Sequence, residues 1–140
     1  MIFVAGNSGQ VALSLKEAAA ARGLALQTHG RPAFDICNPA AAEKTIVGIK
    51  PSAIVNAAAY TAVDQAESDE ETAYAINATG AATLAKIAYK LGVPFIHLST
   101  DYVFDGSKSA PYTEDDTTEP TGAYGRSKLE GERLVLQANP

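Results

Sequence analysis

Four short apolar runs punctuate the chain, and each is followed by a longer stretch with helical spacing. Ile2–Ala5, Leu24–Gln27, Ala53–Asn56 and Pro94–Ser99 predict strands. Between and after them, small and apolar residues recur at helical intervals over about Gln10–Arg22, Pro39–Lys50, Asp69–Leu91 and Gly122–Gln137. The punctuation agrees with that division. Gly23 and Gly92 are natural stops, Asn38 is a good N-cap, and Pro39 suits a first helical turn. The segment Asp105–Pro120, rich in Gly, Ser, Asp, Glu and Pro, predicts an exposed loop.

Strands alternating with crossover helices are the signature of a parallel sheet. The expected fold is therefore α/β: a Rossmann-like doubly wound parallel sheet in three α/β/α layers, with about four β-α units in one domain over residues 1–140. A complete dinucleotide-binding sheet has six strands in the order 3-2-1-4-5-6. A fifth strand is expected where the chain reaches Asn139-Pro140. The chain accordingly reads as the N-terminal part of a longer product, with the fourth strand left as a sheet edge.

Composition narrows the partners. With 140 residues there is enough chain for one real core. The net charge of −5 argues against nucleic acid and against an anionic membrane surface. A phosphate-bearing ligand must then be held by local features, such as backbone N–H groups and an arginine. The single cysteine, Cys37, cannot form an internal disulfide and fits a reducing compartment. It is expected to be a small, partly buried side chain near a helix start. No run approaches the roughly 20 apolar residues of a membrane helix. Ile2–Ala5 is too short for a signal-peptide core and lacks a basic leader, so a cytoplasmic protein is expected.

The turn Gly6-x-x-Gly9-x-x-Ala12 directly follows the first strand and opens a helix. The first glycine permits the tight turn, the second lets the backbone approach a pyrophosphate, and the small third residue lets helix and strand pack closely. Phosphates are favoured at such a helix N-terminus. After the second strand, a carboxylate would suit the ribose of NAD and an arginine the 2′-phosphate of NADP. The loop there, Thr28-His29-Gly30-Arg31-Pro32, has Arg31 and no acid before Asp35. NADPH is thus the expected cofactor, with NADH as the second candidate.

Tyr124 and Lys128 lie four residues apart in the last predicted helix and so share one face. A lysine ammonium beside a phenol favours the phenolate, which makes tyrosine a usable general acid or base. Ser99 and Thr100 end the fourth strand, at the carboxyl edge where open α/β sheets bind ligands. The three groups make a consistent set. Thr100 would orient a substrate carbonyl, Tyr124 donate a proton, and Lys128 tune the tyrosine and hydrogen-bond the nicotinamide ribose, while the cofactor delivers the hydride. His29 and His97 have no carboxylate or cysteine at metal-ligand spacing, and no metal site is assigned. The acids Asp64, Glu67, Asp69, Glu70 and Glu71 read as charge favoured near a helix N-terminus.

Five segments carry a more specific resemblance: Gly6–Val11, Asp35–Pro39, Val55–Asp64, Ser99–Gly106 and Tyr124–Glu132. Together they resemble the dTDP-4-dehydrorhamnose reductase family of the extended short-chain dehydrogenase/reductase superfamily. The resemblance implies reduction of the 4-keto group of dTDP-4-dehydrorhamnose. It implies that Gly9, Gln10 and Val11 contact the pyrophosphate, and Asp35 and Ile36 the adenine end. Ala58, Ala59, Tyr60 and Thr61 would line the cofactor path, Thr100 and Asp101 would meet the sugar, and Tyr124 would donate the proton. Tyr102 stands where related dehydratases carry a glutamate, which disfavours a dehydratase. Another nucleotide-sugar epimerase or reductase, or a non-catalytic dinucleotide-binding subunit, stays open. The family builds most of its sugar-nucleotide site from a C-terminal portion, so these residues alone are expected to turn substrate over weakly or not at all. The resemblance allows a homodimer in the longer protein.

Overall fold

In the computed structural model, which describes residues 1–140, β1 (Ile2–Ala5) takes an inner position in the sheet. Phe3, Val4 and Ala5 are fully buried, as a parallel strand covered on both faces requires. It pairs in parallel with β2 (Leu26–His29) on one side and β3 (Ala53–Asn56) on the other, and β4 (Phe95–His97) pairs with β3. The order is β2-β1-β3-β4.

The period-2 alternation of these strands divides the core between two faces. Phe3, Ala5 and Ile54 pack with Ala42 and Ile46 of α2 (Pro39–Ile49) and with Leu84, Ile87 and Ala88 of α5 (Ala81–Leu91). Val4 and Val55 face Ala12 and Leu15 of α1 (Gln10–Ala21). Helices thus cover both faces, as the doubly wound expectation has it. Short helices α3 (Val63–Ala66) and α4 (Glu70–Tyr74) lead toward α5, and α6 (Ala123–Ala138) packs against α4 and α5.

The strand order has a local cause. Between β2 and α2 the chain forms no strand. Phe34 and Ile36 instead bury their side chains in the main core, and the chain enters α2 at once. β3 is then laid on the far side of β1 from β2, so the sheet reverses direction between β1 and β3. Such a switch point leaves a crevice outside the carboxyl ends of the strands.

Several elements differ from the sequence expectation. β2 begins two residues later than Leu24, because the Leu24 N–H returns to the Ala19 carbonyl at 2.9 Å and closes the end of α1. The helix expected over Asp69–Leu91 is broken by a π-helical turn at Ala75–Gly80, where one extra residue per turn widens the coil. β4 is shorter than Pro94–Ser99, since Leu98 and Ser99 leave the ladder to bond α6. Cys37 is exposed rather than partly buried, carried on a turn whose N–H is held by Asp35. The starts of α2 and α6 fall where expected, with the Asn38 side chain accepting the Ala41 N–H at 3.2 Å. No helix is long and apolar enough to cross a membrane.

Candidate active site

The carboxyl ends of β1, β2 and β3 open onto a cleft of about 450 Å³. Its floor is the glycine turn. Gly6 has φ of 115°, and a Cβ there would lie 3.1 Å from the Ala57 carbonyl carbon, so glycine is required on both counts. Gly9 caps α1 with φ of −75° and needs no such freedom; a Cβ at Gly9 would meet nothing within 4 Å. The space in front of it is open.

The first backbone bond of the helix runs from Leu13 N–H to Gly9 C=O at 3.1 Å, and no side chain caps this end. The N–H groups of Gln10, Val11 and Ala12 are therefore free at the positive end of the helix. The Gln10 and Val11 side chains are exposed and do not line the cleft, so only their backbone can serve a ligand there. Arg31, Asp35 and Ile36 form one wall, and Ala57, Ala58, Ala59 and Thr61 the other. The Asp35 carboxylate is fixed by the Cys37 N–H at 2.8 Å. Free N–H donors, an open cradle at Gly9 and one guanidinium together fit a phosphate-bearing dinucleotide.

Tyr60 departs from its neighbours. Its N–H donates to Asn77 Oδ1 at 2.8 Å, its hydroxyl to Asp69 Oδ2 at 3.2 Å, and its ring packs beside Ala66, Ala73 and Ala123. The side chain thus leaves the cleft that Ala58, Ala59 and Thr61 line.

The remaining candidates gather beside β4 and α6. Thr100 Oγ1 caps a 3-10 turn at Asp101–Val103, accepting the Tyr102 N–H at 3.3 Å and donating to Asp101 Oδ1 at 3.2 Å. Tyr124 lies in the first turn of α6, whose leading N–H, from Ala123, is held by Glu67 Oε1 at 2.7 Å. The Tyr124 ring meets Tyr102 edge to face, with centroids 5.4 Å apart. Gly125 lets the turn approach: a Cβ there would sit 2.2 Å from the Tyr102 carbonyl oxygen. Lys128, one helical turn beyond Tyr124, is 3% exposed and donates to the Leu98 carbonyl at 2.5 Å. No hydrogen bond joins it to the Tyr124 hydroxyl. Burial pushes the Lys128 ammonium below its ordinary pKa, and the nearby Glu132 carboxylate opposes that shift.

Two buried asparagines tie the groups together, and the sequence reading gave neither a role. Asn56 Oδ1 accepts the Ala58 N–H at 3.1 Å, which leaves its amide nitrogen to donate to His97 Nδ1 at 3.1 Å. His97 Nε2 is buried without a partner. Burial first, and the Lys128 charge second, lower the His97 pKa to about 4. Asn77 stands in the π-helical turn. Besides Tyr60 N–H, its amide serves the Tyr60 carbonyl at 3.1 Å and Ser127 Oγ at 2.9 Å, and Ser127 donates in turn to the Tyr124 carbonyl at 2.8 Å. A polar residue inside a run as apolar as Ala-Ile-Asn-Ala was the signal that marked it.

A strand-order reversal with a free helix N-terminus over it defines a doubly wound α/β domain of the nucleotide-binding kind. A family model described as the RmlD substrate binding domain matches residues 1–140, and the chain belongs to that family. It is 53% identical over 139 residues to a dTDP-4-dehydrorhamnose reductase of Sinorhizobium fredii, covering 99% of this chain and 47% of the relative. Among solved structures it resembles a dTDP-4-dehydrorhamnose reductase of Clostridium acetobutylicum, with a TM-score of 0.95 and 39% identity, over 99% of this chain and 50% of the other. The same enzyme from Bacillus anthracis, solved in complex with NADP, gives a TM-score of 0.95 at 33% identity, again over 99% and 50%. The chain thus spans about half the length of the relatives it matches.

Proposed function

We propose that these residues are the cofactor-binding half of a cytoplasmic reductase, together with its proton donor. The complete protein reduces the 4-keto group of dTDP-4-dehydro-L-rhamnose to dTDP-L-rhamnose with NADPH, and with NADH as a poorer substitute. The observation that carries this reading is a dry Lys128 one turn beyond Tyr124 and beside the strand end that bears Thr100. The relatives named as this reductase, one of them holding NADP, support it.

Each residue then has a physical task. The free N–H groups of Gln10 and Val11, with the open cradle at Gly9, receive the pyrophosphate. Arg31 receives the 2′-phosphate, with Asp35 and Ile36 at the adenine end. Ala58, Ala59 and Thr61 bound the path toward the nicotinamide, and Tyr60 holds that wall from behind. When bound, the cofactor supplies the hydride. Thr100 turns its hydroxyl from Asp101 to the substrate carbonyl oxygen, and Asp101 takes a sugar hydroxyl. Tyr124 gives its proton to the oxygen that gains charge, and the Lys128 ammonium favours the tyrosinate left behind. Lys128 exchanges the Leu98 carbonyl for the cofactor ribose. The remaining sugar-nucleotide contacts lie outside residues 1–140, so these residues alone turn over little substrate.

The test is Tyr124→Phe in the complete protein. Turnover falls by about 10²- to 10⁴-fold while NADPH affinity is kept. An undiminished rate overturns the reading and favours a non-catalytic dinucleotide-binding subunit.

A further inference from the structure

Three consecutive residues at the end of β4 are tied to neighbouring elements, one to β3 and two to α6. His97 is bonded to Asn56 at the end of β3, the Leu98 carbonyl to Lys128, and the Ser99 hydroxyl to the carboxylate of Glu132. Lys128 and Glu132 are four residues apart on α6 and so project from one face. The helix is therefore latched to the strand end at two points, one turn apart. Thr100 follows Ser99 directly, and its Oγ1 begins the 3-10 turn that packs under Tyr124.

Ser99 itself is exposed, whereas Glu132 is half-buried against the helix layer. A half-buried carboxylate is costly to keep without partners. The Ser99 O–H donates to Glu132, and no other hydrogen bond or ion pair holds that carboxylate. The mechanism above gives Glu132 no task.

We infer that Glu132 is a positioning residue for the proposed reduction: by holding Ser99 it fixes Thr100 against the helix that carries Tyr124 and Lys128. This rests on the reductase reading. Thr100 and Tyr124 must converge on one carbonyl oxygen, and they stand on different elements. The 3-10 turn and the two latches join those elements directly. Lys128 is the latch that the cofactor ribose competes for, which leaves Glu132–Ser99 as the one that persists through the reaction.

The experiment is a double-mutant cycle in the complete protein with dTDP-4-dehydrorhamnose and NADPH, beside Tyr124→Phe. Glu132→Ala lowers kcat by about 10- to 100-fold, the cost of a misplaced reacting group, while NADPH affinity stays within about twofold. Ser99→Ala does the same, and the double variant is no worse than either alone. Glu132→Gln, whose amide oxygen still accepts from Ser99, returns kcat to within about threefold of the parent. Additive losses, or a Glu132→Ala variant with unchanged kcat and only a lowered melting temperature, overturn the role of Glu132 and leave the reductase standing. A fully active Tyr124→Phe overturns the reductase reading, and the role of Glu132 falls with it.

Discussion

Asn77 and Ser127, 50 residues apart in sequence, share a buried hydrogen bond of 2.9 Å that joins the wall of the cofactor cleft to the helix bearing Tyr124. The π-helical turn makes the bond geometrically available. It carries Asn77 inward while α6 comes so close that a Cβ on Gly131 would stand 2.2 Å from the Asn77 carbonyl oxygen. π-Helical turns are rare and recur at functional sites.

Replacing Asn77 with alanine strands the Tyr60 N–H and leaves its carbonyl and the Ser127 hydroxyl each short of a partner. Buried groups without partners cost about 1–3 kcal/mol each, so Asn77→Ala destabilises by about 3 kcal/mol. Urea unfolding of the complete protein reads this as a lower midpoint with an unchanged slope. A variant as stable as the parent would show that Asn77 holds nothing together.

Gly9 separates folding from binding. Its φ of −75° suits alanine, and an added Cβ meets no protein atom within 4 Å. Gly9→Ala should therefore keep stability within about 1 kcal/mol. The methyl group would occupy the space where the backbone must approach a pyrophosphate, so NADPH binding should weaken tenfold or more, about 1.4 kcal/mol. Melting temperature and calorimetric titration on the same sample check both halves. Unweakened binding would place the pyrophosphate elsewhere.

Arg31 stands in the cleft wall beyond β2 with no ion-pair partner. Arg31→Ala should weaken NADPH by about tenfold, the loss of a charge-assisted contact, and leave NADH unchanged. Equal losses for both nucleotides would show that Arg31 supports the loop and not the 2′-phosphate.

What the sequence made legible follows from what each signal encodes. Apolar runs, the glycine turn and the Asn38 cap are local, and β1, β3, α1 and α2 fall where they were expected. The start of β2 was misplaced because Leu24 looks the same whether it closes a helix or opens a strand. Only the Ala19 carbonyl, five residues back, decides: the Leu24 N–H closes the helix end beyond the left-handed Gly23. The π-helical turn was invisible because Ala73, Ala75, Ala78, Ala81 and Ala82 put small residues on several faces, so the shift of register leaves no break in the pattern. The Tyr124–Lys128 pair could be read from helical spacing, but Asn56, Asn77 and Glu132 act through partners 41, 50 and 33 residues away, where no periodicity reaches.

His97 gives the domain an acid-sensitive joint. Its Nδ1 accepts from Asn56, so the neutral ring carries its proton on the buried Nε2. Burial, then the Lys128 charge, hold the pKa at about 4, against about 6.5 in an unfolded chain. Above pH 6.5 the ring is neutral in both states and contributes nothing to pH dependence. Between pH 6.5 and 4 the unfolded chain takes up the proton and the folded one does not, so stability falls as the pH falls through that window. With the ring partly in water, the loss from pH 7 to pH 5 should be about 1 to 2 kcal/mol. His97→Gln keeps an acceptor for Asn56 and removes the titration, so its stability should decline less over the same interval. Urea unfolding of parent and variant at the two pH values measures the difference directly, since the carboxylates common to both cancel. Parallel declines would mean that His97 takes up its proton at the same pH in the folded protein as in the unfolded chain, so that burial does not hold its pKa down.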